Sequence, residues 1–210
     1  MTASATLPTP RRLPRAERGR QLLDVAEELF IAKGYDRTSI EDIAKAAGVS
    51  RPIVYEHHGS KEGVYLACVK RARDALAVEY DAATAGVTDP REQLRLSADV
   101  FFATLERDPQ RWIVLFGGAA VPVIGELGEQ LSELRHQTVT RIMDNLRAHA
   151  VAGLDSERVE MAAYAISGVG EQLGRWWIKH PNVPRARVVA DYVDFVWSGV
   201  APFALEGRGR

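Results

Sequence analysis

The chain predicts an all-α protein with a small N-terminal helical domain and a larger C-terminal one, and three observations carry that reading. Apolar residues recur at helical spacing between Gly and Pro stops along nearly all of the 210 residues, and no stretch alternates with the period of a strand. Residues 38–61 hold the pattern of two short helices joined by a tight turn, a geometry that places a helix in the DNA major groove. Basic charge gathers at the same end. Residues 1–75 hold 13 Lys+Arg against 10 Asp+Glu, and residues 76–210 hold 14 against 18.

Residues 1–14 contain Pro8, Pro10 and Pro14 with little to bury, and are expected as a disordered basic arm. Arg11, Arg12 and Arg15 either reach into a minor groove or form a solvated tail. The first helix is expected from about Ala16 to Lys33, with Leu22, Leu23, Ala26, Leu29 and Phe30 on one face and Gly34 as its stop. Thr38 is read as the cap of the second helix, with Glu41 completing a capping box. Ile40, Ile43, Ala44 and Ala47 share a face of that helix. Gly48 tolerates the positive φ of a sharp reversal, and Val49 plugs the turn. Ser50 is read as the cap of the third helix, with Pro52 in its first turn, where a missing N–H costs nothing.

These residues carry a family resemblance. Leu29-Phe30, Gly34-Tyr35, Thr38-Ser39-Ile40, Ile43-Ala44, Ala47-Gly48-Val49-Ser50, Tyr55, His57 and Lys61-Glu62, in this order and spacing, closely resemble the TetR family of bacterial one-component repressors. The match spans about residues 15–68, the expected DNA-binding domain. Residues 69–205 are then implied to be a helical effector-binding and dimerisation domain, with the boundary inside a shared fourth helix.

The elements of the second part follow in order. Helix 4 starts after Gly59-Ser60, carries Val64, Tyr65, Ala67, Cys68 and Ala72, and ends near Tyr80; Ala85–Thr88 is a loop. Asp89-Pro90 and Asp108-Pro109 each give an N-cap and a first-turn proline, opening helices to about Glu106 and Leu115. Gly117-Gly118 breaks the second of these. A long helix is expected from about Pro122 to Ala150, loosened by Gly125 and Gly128 and ended by Gly153. Asp155 caps a helix to about Lys179, Pro184 opens the last one to about Phe203, and Gly207–Arg210 should fray.

The DNA-facing set is Thr38, Ser39, Ser50, Arg51, Pro52, Tyr55, His57 and Lys61. Arg51, at the start of the recognition helix, either bonds guanine O6 and N7 together or fixes register on a phosphate. The resemblance implies phosphate contacts for Tyr55, His57 and Lys61. Glu56 and His58 depart from the family pattern. Glu56 either accepts from cytosine N4 or points away. His58 stands where phenylalanine usually closes the domain, and reads as a buried neutral imidazole or as half of a titrating pair with His57.

In the second part, Phe101, Phe102, Leu105, Trp112, Phe116, Met143, Tyr164, Glu171 and Trp176 are the candidates for an apolar ligand pocket, against the plain reading of aromatics as core. Glu171 either faces that pocket or pairs with Arg175 on the helix surface, the second being preferred. Gly168, Gly170 and Gly174 ask for close approach of another helix. With the apolar stripe Val189–Val200 they suit a homodimer through the last two helices, as in the resembled family, or packing within one chain.

The single cysteine, Cys68, excludes intramolecular disulfides and reads as a small buried hydrophobe. No apolar run approaches membrane-spanning length and no signal core precedes the arm, so cytoplasmic residence is expected. One Glu-x-x-His, Glu133/His136, falls short of the two that a di-iron bundle needs, and neither a phosphate loop nor a nucleophile elbow occurs. No catalytic residue, metal or cofactor is therefore expected. The function implied is a sequence-specific regulator, dimeric on a near-palindromic operator in double-stranded DNA and released by a small apolar effector. An effector-independent regulator and a helical-bundle enzyme are the alternatives.

Overall fold

A computed structural model of the chain describes residues 13–116, 125–149 and 155–205. Among these residues nine helices and no strands occur: α1 (Arg15–Lys33), α2 (Ile40–Ala46), α3 (Arg51–His58), α4 (Lys61–Thr84), α5 (Pro90–Arg107), α6 (Pro109–Leu115), α7 (Glu126–His149), α8 (Ser156–Ile178) and α9 (Arg185–Leu205). The expected arm to residue 12, the Gly117-Gly118 break, the Pro122 start, the Ala150–Gly153 end and the Gly207–Arg210 tail lie outside the described residues.

α1, α2 and α3 close on one another through Leu22, Ala26, Phe30, Ile43 and Val54, all fully buried. The core continues without a break through Val64, Tyr65, Cys68 and Val69 of α4 into Phe102, Leu105 and Trp112. α4 packs along α5, α5 along α9, and α7 along α8. α4 thus belongs to both halves of the molecule, and runs four residues beyond its expected end at Tyr80.

Two caps differ from the sequence reading. Ser39, not Thr38, caps α2: Ser39 Oγ accepts from Asp42 N at 3.1 Å, and Ser39 N donates to Asp42 Oδ2 at 3.0 Å. Thr38 is 1% exposed, with its hydroxyl turned back to the carbonyls of Gly34 (2.8 Å) and Leu29 (3.3 Å). It closes the α1–α2 turn from inside. Ser50 stands at the N-cap of α3 but its side chain makes no capping bond. Pro52 removes the N2 donor, and the Ile53 amide donates instead to the Ser50 carbonyl at 3.0 Å. Gly125, expected inside α7, precedes it with φ +95.

Two glycines of α8 answer the expectation of close approach within the chain. A Cβ on Gly174 would stand 3.0 Å from Leu105 Cδ1 and 3.1 Å from the Trp112 ring, and one on Gly170 would touch Tyr192 and Phe101. Gly168 faces open space. Gly63, at the start of α4, has no such tolerance: a Cβ there would fall 2.0 Å from the His58 carbonyl oxygen.

Candidate functional site

The reader is built on α2, the Gly48 turn (φ +67) and α3. Val49 N donates to Ala44 O at 2.9 Å, locking the turn, while Val54 fixes α3 to the core. What remains outward on α3 is Ser50, Arg51, Pro52, Tyr55 and Glu56, all exposed. Arg51 Nη1 lies 3.5 Å from Glu41 Oε2 with both side chains in solvent, a pair of little worth that leaves the guanidinium available. Glu56 faces Arg15 at 3.7 Å, likewise exposed. Lys61, at the first turn of α4, sits 4.2 Å over the Tyr35 ring and reaches Asp36 O at 3.4 Å. His57 packs beside Gly19 of α1. His58 is half-buried, its Nε2 without a hydrogen-bond partner; burial first, then His57, pushes its pKa down, so the ring is held neutral.

A cavity of about 350 Å³ lies in the other half, walled by α4, α5, α7, α8 and α9 with Phe116 after α6. Its lining from Arg73 to Thr84 follows α4 over twelve residues, so the space runs about 16 Å along that helix. The walls are mainly apolar: Leu76, Ala98, Phe101, Ile142, Val159, Ile166, Val196 and Val200. At the mouth, Arg141 pairs with Asp81 at 2.7 Å and Asn145 donates to Gln93 at 2.7 Å. At the inner end stand Arg73, Thr138 and Glu171.

One buried acid joins the two halves. Glu27 of α1 accepts from Arg71 of α4 at 2.8 Å and from Arg111 of α6 at 2.5 Å. α6 is further tied to α4 by Tyr65, whose hydroxyl donates to Val114 O at 2.5 Å. The helix that ends at the cavity is therefore held to both helices that position the reader.

With this geometry in hand, comparison with known proteins is decisive. Residues 22–68 match the family "Bacterial regulatory proteins, tetR family", and residues 90–199 match "Tetracyclin repressor-like, C-terminal domain". The chain belongs to the TetR family. Similar proteins include the HTH-type transcriptional activator FasR of Mycolicibacterium smegmatis, 30% identical over 92% of this chain and 88% of that one. The HTH-type transcriptional regulator EthR of Mycobacterium tuberculosis is 29% identical over 93% of each. A TetR-like regulator from Rhodococcus sp. RHA1 superposes with a TM-score of 0.68 at 26% identity, over 90% of this chain and 99% of that one. FadR from Bacillus subtilis, solved with stearoyl-CoA, shares the fold with a TM-score of 0.74 at 20% identity, over 86% and 98%. The chain is thus a DNA-binding transcriptional regulator and not an enzyme, and proteins of the TetR family act on DNA as dimers.

Seen as a TetR-family reader, the DNA-facing set divides. Ser39, Ser50, Arg51, Pro52 and Tyr55 lie outward, His57 and Lys61 are half-covered, and Thr38 is inside with no surface to offer a phosphate. The pocket candidates divide further. Phe101, Phe116 and Glu171 line the cavity. Phe102, Leu105 and Trp112 are buried in the core beside it, because their helix faces point at Trp177, Tyr192 and Gly174 instead. Met143 stands off the lining, while Tyr164 and Trp176 are 51% and 44% exposed on the outer face of α8. Glu171, read as facing the pocket or pairing with Arg175, lines the cavity.

Glu27, Arg73, Thr138 and Gly63 were not anticipated. The spacing of Glu27 from Leu23 and Phe30 was the available signal for a carboxylate on an apolar face. Among the described residues no group of three or more His, Cys, Asp or Glu is placed to hold a metal, and no helix is long and apolar enough to cross a membrane. Glu133 and His136 lie at the surface, His136 within 3.2 Å of the Tyr164 hydroxyl. Burial pushes the Cys68 thiol up to about 12, so it stays protonated at neutral pH.

Proposed function

We propose that this regulator sits on a near-palindromic operator as a homodimer and leaves it when an elongated, largely apolar effector fills the cavity. Residues 15–68 read the DNA and residues 69–205 bind effector and partner. Arg51 supplies a base contact at the exposed start of α3, and Tyr55, His57 and Lys61 hold phosphates. The observation that carries this reading is the linkage between cavity and reader: Phe116 lines the cavity, and α6 is tied through Arg111 to Glu27 of α1. An effector that prefers one placement of α6 biases the spacing of the two readers by its differential affinity. Whether operator release represses or activates a gene depends on where the operator lies. The site of action is the cytoplasm, where the DNA is.

Support for the dimer face comes from α8 and α9. Met161, Tyr164, Ala165, Gly168 and Trp176 form an outward stripe on α8, and Phe195 is 68% exposed on α9. Such a stripe is apolar surface in excess of what a lone protomer needs. The test is selection of genomic fragments by the purified protein at near-physiological salt. Recovery of one inverted repeat, with half-site centres on the order of 34 Å apart or a multiple, is expected. Recovery of only salt-sensitive background overturns the proposal.

A further inference from the structure

The inner end of the cavity holds an arginine whose hydrogen bonding is incomplete. Arg73 Nη1 donates to Thr138 Oγ1 at 2.8 Å, and its guanidinium lies 5.4 Å from the centre of the Phe116 ring. Its Nε is buried with no partner. Among the described residues no carboxylate forms an ion pair with it; Glu171, across the cavity end, acts on it through space. Arg135, which stands off the cavity lining, acts on Arg73 in the opposite sense to Glu171. Burial lowers the Arg73 pKa, yet a guanidinium stays charged at neutral pH. A largely buried charge that is matched only in part is costly. The mouth is different in kind, because Arg141 already pairs with Asp81 and Asn145 with Gln93.

We propose that the inner end is an anion seat, in which Arg73 and Thr138 receive the carboxylate of an amphiphilic acid whose apolar tail runs along the cavity towards the mouth. The guanidinium of Arg73, which lines the cavity, is the first donor. The Thr138 hydroxyl, already accepting from Nη1, has its own proton to give as the second. Bonds from a guanidinium to a carboxylate are among the strongest hydrogen bonds in proteins. Leu76, Ile142 and Val159 offer the tail its apolar wall. The bound acid bridges Arg73 of α4, Thr138 of α7 and the Phe116 ring, so its head acts on the helix that bears on the reader. This inference rests on the apolar-effector reading above and adds the chemistry of the head group.

The test uses the full-length protein and two probes of equal tail, dodecanoate and dodecan-1-ol, titrated calorimetrically at pH 7.5. The wild type is expected to bind the acid at least tenfold more tightly than the alcohol. Arg73→Met should abolish that preference while leaving the alcohol unchanged, and Thr138→Val should reduce it by a smaller factor. Arg141→Met, at the mouth, should leave it intact. Equal affinity of the wild type for both probes overturns the anion seat, and needs no variant to fold. Loss of the preference in Arg141→Met but not in Arg73→Met overturns it too, by placing the head at the mouth. Failure of the wild type to bind either probe overturns the apolar-effector reading itself.

Discussion

Replacing Glu27 by Gln tests whether the buried acid holds the reader to α6. The side chain is 9% exposed and accepts from two guanidiniums, Arg71 and Arg111. Glutamine keeps the shape but has one acceptor oxygen, so its NH₂ must face a guanidinium as donor against donor. Hydrogen bonds to charged groups contribute about 1.5–3 kcal/mol each. Arg71 and Arg111 keep 31% and 42% of their side-chain surface in water, and Arg71 retains Asp24 at 2.6 Å. Both considerations put the net loss at the low end for the pair, roughly 2–3 kcal/mol. For a chain of this size each kcal/mol moves Tm by about 2–4 °C, so a fall of about 4–12 °C is expected. The assay is thermal unfolding at fixed protein concentration, with exposed Glu28→Gln as a control expected within about 0.5 kcal/mol of wild type. A fall of less than about 2 °C, or one matched by the control, refutes the argument that Glu27 ties these helices.

Further outcomes are expected. Arg51→Ala should relax base preference at one operator position and cost about 1–3 kcal/mol, whereas Lys61→Ala should weaken all sequences alike and reduce the salt slope by about one; competition titrations at two salt concentrations separate them. His58 has a lowered folded-state pKa, so the unfolded chain takes up its proton first as pH falls: its contribution is intact above the unfolded value of about 6.5 and is lost on going below it. Urea midpoints should therefore drop more between pH 7.5 and 5.5 in wild type than in His58→Phe, and equal drops would remove His58 from the account. Gly174→Ala adds a Cβ at 3.0–3.2 Å from Leu105 and the buried Trp112, an overpacking of about 1–3 kcal/mol against a helix-propensity gain of about 1. Gly168→Ala meets nothing within its own protomer, so it should stabilise the isolated fold yet weaken the dimer in sedimentation experiments; an unchanged dimer constant would argue against α8 as the seam.

The reader was legible because its chemistry is local. Gly48 and Pro52, with the apolar face Ile40-Ile43-Ala44, each act through backbone geometry or near neighbours, and the sequence order alone exposes them. The cap was ambiguous for an equally local reason. Thr38/Glu41 and Ser39/Asp42 are the same box displaced by one residue, and only the burial of Thr38 against Leu29 and Gly34 decides between them. The cavity was less legible because neighbouring aromatics point in different directions. Phe101 lines it while Phe102 packs edge-to-face against Trp177 and Tyr192. Trp177 is buried and donates to Val183 O at 2.8 Å, while Trp176 stacks on His180 at the surface. A helical period places each residue on a face, but which face meets a void and which meets another helix is set by five helices at once.

Arg73 and Glu27 carry that point furthest. Both sit among other charged residues in the sequence, RARDA for one and AEEL for the other, where a solvated face is the natural reading. Their difference lies in what long-range packing supplies. Glu27 meets two guanidiniums from α4 and α6, so its charge is matched within the protein and serves to join helices. Arg73 meets a hydroxyl, a ring face and a distant carboxylate, so its charge is matched only in part. A core selected for stability alone would favour an apolar residue of similar volume at such a place, since that exchange is often neutral or stabilising. An incompletely matched cation at the end of an apolar cavity is instead what a site for an acid requires while the acid is away. On that argument Arg73→Met should raise the Tm of the unliganded protein while it removes discrimination between acid and alcohol. A lower Tm with discrimination retained would make Arg73 a structural residue.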